Sequence, residues 1–170
     1  MKELQIPFKL QEIPEIKEIL NHPYFTGMKK YPHHGSISCH AHTLRVTEHA
    51  FQLAKGRGVN LVSLIRGALL HDFYLYDWHG GGPSFHGLKH PALALANAAE
   101  CFNLNEVESD IIKKHMFPLT PALPLFQESL IVSAADKIAA WTDYHSLLLE
   151  YFRTRWSKMR NRVKQTPIHR

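Results

Sequence analysis

The sequence predicts an all-α fold, and three observations carry that prediction. Apolar residues recur at helical spacing, as in Leu61, Leu64, Ile65, Ala68 and Leu69. Good capping residues stand where such runs open: Ser38, Asn60, and Asn105 with Glu108. No alternating strand pattern of any length appears between them. A chain of 170 residues suits a single compact helical domain over 1–170 that can bury a real core. Its core is expected at about 38–150, with an N-terminal helix and loop (1–37) and a basic C-terminal helix (151–170) as peripheral elements.

Residues 1–10 read as irregular, broken by Pro7. Pro14 opens a short amphipathic helix that turns Ile16, Ile19 and Leu20 to one side. From Asn21 to Ile37 the chain reads as a long loop of turn formers and aromatics, a length that is uncommon unless it lines a site. Ser38 caps a helix to about Lys55, stopped by Gly56 and Gly58. Asn60 caps the next, which runs into His71. Gly80, Gly81 and Gly82 make a flexible loop. Pro91 is expected in the first turn of an Ala-rich helix ending near Phe102. The Asn105/Glu108 capping box starts one that ends near Met116, and three prolines (Pro118, Pro121, Pro124) stiffen the connection. From Gln127 to about Val163 all is helical, as two helices or one long bent one.

Composition excludes several classes. An apolar fraction of 45% and a charged fraction of 21% are ordinary for a globular protein. No apolar run is long enough to cross a bilayer and no leader pattern opens the chain, so a cytoplasmic protein without a membrane partner is expected. Cys39 and Cys101 form no CxxC pair, which argues against a thiolate zinc site. The net charge of +5 favours an anionic ligand only loosely. The basic, aromatic-interleaved stretch after Tyr151 reads as a solvated helix face, so nucleic acid is not expected as a partner. Tyr144 to Phe152 is where a second copy would pack if the chain forms a homodimer.

The thirteen histidines carry more information. A buried-type helix ends in His71-Asp72, an imidazole and a carboxylate that the last turn can aim at one first-row cation such as iron, manganese, cobalt, nickel or zinc. Around this pair stand His42 upstream and His90, His115 and Asp136 downstream. Asp136 lies within the apolar run Leu130–Ala135, where an uncompensated carboxylate would be costly.

That order of His, then His-Asp, then two histidines and a distant Asp resembles the HD superfamily of metal-dependent phosphohydrolases, over roughly Ser38 to Ile138. The resemblance implies that His42, His71, Asp72 and Asp136 hold one divalent ion. It implies further that His90, His115 and a bridging Asp72 hold a second where two are bound. The string from Arg66 to His79, with His34-Gly35 and the stretch His86 to Pro91, resembles a narrower branch, described mostly as HD-domain phosphohydrolases without a substrate. His34, His79 and His86 thereby become candidates for a substrate pocket. Arg66 is expected to contact a substrate phosphate or to pair with a carboxylate, and Lys137 to assist at the phosphate or leaving oxygen, beside Asp72 in the catalytic group. His33, His40 and His49 are expected to face solvent or cap local structure.

The function expected from the resemblance is hydrolysis of a small phosphorylated molecule, a nucleotide or dinucleotide, by metal-activated water. A non-catalytic metal- or nucleotide-binding regulatory module is the first alternative. An HD-type di-iron oxygenase with nearly the same ligands is the second.

Overall fold

The computed structural model describes residues 4–77, 80 and 85–164. Three short helices come first: α1 (Phe8–Gln11), α2 (Pro14–Asn21) and α3 (Pro23–Gly27), followed by a 3-10 turn at Met28–Lys30. A two-stranded hairpin, β1 (Pro32–His34) and β2 (Ile37–Ser38), leads into five longer helices. These are α4 (Cys39–Ala54), α5 (Leu61–Leu70), α6 (His86–Cys101), α7 (Glu106–Lys114) and α8 (Gln127–Lys164). The fold is all-α apart from that hairpin.

Local chemistry sets the helix starts. Ser38 Oγ accepts from the Ala41 amide at 3.2 Å, and Asn60 Oδ1 accepts from the Val62 and Ser63 amides at 3.1 Å each. Asn105 and Glu108 exchange bonds in a full capping box. Each cap satisfies amides that the first helical turn leaves without an intrahelical acceptor.

Packing then sets the helices against one another. α5 is buried from Ser63 to Leu70 and lies between α4 and α7. Gly67 permits the close approach to α7, because a Cβ there would stand 2.5 Å from Ile111 Cδ1. Asp110 on α7 binds the Leu125 amide at 2.9 Å and Ser129 Oγ at 2.7 Å, tying α7 to the start of α8. The buried side chains of α2 to α8 join in one apolar cluster, with Ile16, Phe25, Leu64 and Ile111 fully inside it.

Two elements depart from the sequence reading, and a third decides between its alternatives. The stretch 21–37, expected as a loop, folds into α3, the 3-10 turn and the hairpin. Such short elements carry no periodic pattern, and His22 starts α3 by accepting from the Tyr24 amide. α6 begins at His86 and carries Pro91 inside it. The proline therefore interrupts its second turn instead of opening its first. α8 is one helix of 38 residues. Neither glycine nor proline occurs between Gln127 and Lys164, so nothing in that stretch forces a break.

Candidate metal centre

Asp72 is the centre of the site, and the end of α5 explains how. His71 caps that helix with φ −57° and ψ −33°, and the Tyr74 amide then bonds back to the Asp72 carbonyl at 2.8 Å. The chain turns sharply there, so adjacent side chains reach one point that a regular helix would deny them. Asp72 is buried, and its two oxygens face different partners. Oδ2 lies 3.4 Å from His71 Nε2. Oδ1 lies 3.2 Å from His90 Nε2 and 3.6 Å from His115 Nε2.

Asp136 on α8 closes the other side. Its Oδ1 is 3.1 Å from His42 Nε2 and 3.9 Å from His71 Nε2. Helices α4, α5, α6, α7 and α8 thus each deliver a donor to one buried spot. Among the described residues four sets of donors gather closely enough to share an ion: His42, His71 and Asp72; Asp72, His90 and His115; His33, His34 and His42; and His33, Cys39 and Asp72.

The rings are held in one tautomer. His71 Nδ1 donates to the Ala68 carbonyl and His115 Nδ1 to the Ile112 carbonyl, both at 2.8 Å and both three residues back along the helix. His42 Nδ1 donates to Asp143 Oδ2 at 2.8 Å. With Nδ1 protonated, a neutral ring presents only a lone pair at Nε2. These Nε2 atoms face carboxylate oxygens, and His115 Nε2 stands 2.8 Å from His90 Nε2. Among the described residues, His71 Nε2 and Asp72 Oδ1 are buried without a hydrogen-bond partner. Acceptors aimed at acceptors in a dry interior repel one another unless a cation lies among them.

The distances agree with that reading. Two ligand atoms each about 2.1 Å from one ion stand roughly 3.4 Å apart at a tetrahedral angle. The residues present fit a divalent cation with mixed nitrogen and oxygen ligands.

The electrostatics lean the same way. Burial pushes the Asp72 carboxyl up, but His71 and His33 hold it well below the usual range. Asp136 is likewise lowered against the pull of burial, by the hydrogen bond to His42 and the charge of His71. Burial and the neighbouring His71 and His90 lower His115 to about 3. His71 goes the other way, raised by the adjacent Asp72 against the effect of burial. Two carboxylates held anionic among buried imidazoles make a cation-seeking set.

A scan against protein families bears directly on this cluster, since the model of the HD domain matches residues 40–141. The match covers more than half of the chain. The chain belongs to the HD domain family. No curated protein and no solved structure gives a match.

Within this HD domain the remaining candidates fall in different places. Arg66 does not reach the site. Its guanidinium is spent on Glu108 (Nε to Oε1 2.7 Å, Nη2 to Oε2 3.3 Å) and on the carbonyls of Glu15 (3.0 Å) and Asn103 (2.7 Å). Of the two expectations for it, pairing with a carboxylate is what the geometry shows, and the catalytic placement is corrected to a structural one. Lys137 stands at the rim, its Nζ 3.5 Å from Asp136 Oδ2 while donating to the His115 carbonyl and to Ser133 Oγ. His34 lies at the partly exposed edge, its ring 4.7 Å from that of Tyr144. His79 lies outside the described residues, as does the side chain of His86.

Two residues of the cluster escape the sequence reading. Asp143, fully buried, orients His42 and pairs with Arg45. Its spacing of seven from Asp136 puts both on one face of α8, and that was its readable signal. His33, expected to face solvent, is buried beside Asp72. His40 and His49 are only half buried, and His40 packs on Phe25. A groove of about 640 Å³ lined by Phe8, Leu20, Phe25 and His40 contains none of the clustered donors, so its size says nothing about the chemistry.

Proposed function

We propose that this HD domain is a metal-dependent phosphohydrolase acting on a small phosphorylated molecule, a nucleotide or dinucleotide. One observation carries the reading. A single buried carboxylate, Asp72, offers one oxygen to His71 and the other to His90 and His115. A structural ion needs no such shared ligand, whereas paired ions across one carboxylate suit displacement at phosphorus. When bound, one or two divalent ions of the iron, manganese, cobalt, nickel or zinc class supply an activated water at neutral pH and offset charge on phosphate oxygens.

The chain's own residues do the rest. Asp72 and Asp136 remain anionic, and the Nδ1 bonds of His42, His71 and His115 hold their Nε2 atoms in place without reorganising. Lys137 keeps a cation at the partly exposed rim beside Asp136, where an anionic group approaches. His34 borders the same edge, and the excess of positive charge favours the encounter.

Elemental analysis of tag-free protein, paired with a phosphate-release screen over nucleotides and dinucleotides, tests this. About two ions per chain and metal-dependent release from one substrate class are expected. His115→Ala should reduce the bound metal to about one ion while leaving helicity intact. Bound metal without release from any substrate would favour the regulatory module. Oxygen-dependent turnover with bound iron would favour the oxygenase.

A further inference from the structure

His33 stands outside the ordered pattern of histidines and aspartates, yet the structure seats it on Asp72. It lies on β1, in the hairpin before α4, with its Nε2 3.6 Å from Asp72 Oδ2. His71 Nε2 is 3.4 Å from that same oxygen. Asp72 therefore has two imidazoles at each oxygen: His33 and His71 at Oδ2, His90 and His115 at Oδ1.

The ring is anchored from behind. His33 Nδ1 lies 2.9 Å from the Tyr74 phenol, two residues past Asp72 and almost wholly buried. With the phenolic oxygen accepting from Nδ1–H, the lone pair on Nε2 faces the carboxylate, the tautomer found at His42, His71 and His115. A buried histidine that merely satisfied itself would need one good bond, and Tyr74 supplies it. The second nitrogen makes no hydrogen bond to Asp72, because 3.6 Å is too long for one. That distance is close to the spacing of two ligands on one ion. The His33 ring also lies 4.2 Å from that of His42, and a ring nitrogen of His33 gathers within 4.8 Å with donor atoms of His34 and His42 in one set and of Cys39 and Asp72 in another.

We propose that His33 is a further ligand of the ion held by His42, His71, Asp72 and Asp136. This rests on the reading that the site binds a divalent ion. It makes docking of the hairpin and loading of the first ion one coupled event. Gly35 at the hairpin tip, with φ +55°, comes close to Leu147 on α8, where an added Cβ would lie 3.0 Å from Leu147 Cδ1. The hairpin is thus seated against the same helix that carries Asp136.

Cobalt(II) titration of the full chain, followed by visible absorbance and chelator competition, tests the assignment. His33→Gln should keep helicity, weaken binding of one ion by about 10- to 100-fold and shift the absorption bands. His71→Ala serves as the comparison. A His33→Gln chain with unchanged spectrum and affinity, while His71→Ala loses an ion, would overturn the assignment and leave the metal site intact. An unmutated chain that binds no cobalt would overturn the metal reading and His33 with it. Should His33→Gln fail to fold, nitrogen NMR of the unmutated chain decides instead. Zinc addition should move the His33 Nε2 resonance together with those of His42 and His71, and an unmoved His33 resonance would overturn the assignment.

Discussion

Asp143 lies seven residues beyond Asp136 on α8 and accepts the Nδ1–H of His42 at 2.8 Å, while Asp136 faces Nε2 of that ring at 3.1 Å. One face of one helix therefore grips both nitrogens of a single histidine. Carboxylates behind ligating histidines fix the ring and raise its basicity. Asp143→Ala is expected to weaken metal binding by about 10- to 100-fold. It should also lower the melting temperature of the metal-free chain, since Arg45 and His42 lose their buried partner. Metal titration and a thermal melt of the same sample check both.

Arg66 makes the opposite prediction. Its guanidinium and the Glu108 carboxylate form a buried pair, completed by two main-chain carbonyls. Removing one side leaves an uncompensated charge, at a cost of about 3–5 kcal/mol. Arg66→Ala should therefore melt far earlier yet bind metal with unchanged stoichiometry below its melting point. Loss of an ion in a folded Arg66→Ala chain would place the residue in the site after all.

These two residues show what was legible in the sequence. The caps at Ser38, Asn60 and Asn105 were readable because each signal and its effect lie within three residues. The order His42, His71-Asp72, His90, His115, Asp136 was readable because each member ends or lines a strongly patterned helix. Arg66 was not resolved, because its partner lies 42 residues away on α7. The sequence does not place His33, because its direction is set by a short hairpin whose turn depends on Gly35 at positive φ and not on any period. Asp143 was visible in principle, on the Asp136 face, but a carboxylate two turns away announces a partner only once α4 is docked.

The pH response of the metal-free chain follows from which groups are shifted. Burial lowers His33 and His115, the latter to about 3, so the folded chain holds fewer protons there than the unfolded chain below about 6.5. Stability from these groups is present above the unfolded value and drains away as pH falls through the folded one. Asp72 and Asp136, also lowered, add a loss of the same sign below about 3.9. His71 is raised by Asp72 against the effect of burial and acts oppositely, its contribution fading as pH rises. His40, lowered to about 4 by burial and Lys29, has the same sign as His33 and His115. Three lowered histidines stand against one raised, so the melting temperature should fall between pH 7 and pH 4. His115→Gln should flatten that fall. A melting temperature that rises on acidification would contradict neutral burial of these rings.

Gly67 links stability to the metal centre. It sits four residues before His71, and a Cβ there would stand 2.5 Å from Ile111 Cδ1 and 2.9 Å from its Cγ2 on α7. Contacts that short force α5 and α7 apart or push Ile111 out of its rotamer, at about 1–3 kcal/mol. Both helices end in site residues, His71 and Asp72 after α5 and His115 after α7, with Asp72 Oδ1 3.6 Å from His115 Nε2. Separating the helices widens that gap. Gly67→Ala should therefore lower the melting temperature and weaken metal binding together. Gly27→Ala, where an added Cβ meets nothing within 4 Å, should change neither. Equal behaviour of the two variants would mean that the close approach of α5 and α7 does not set the spacing of the ligands.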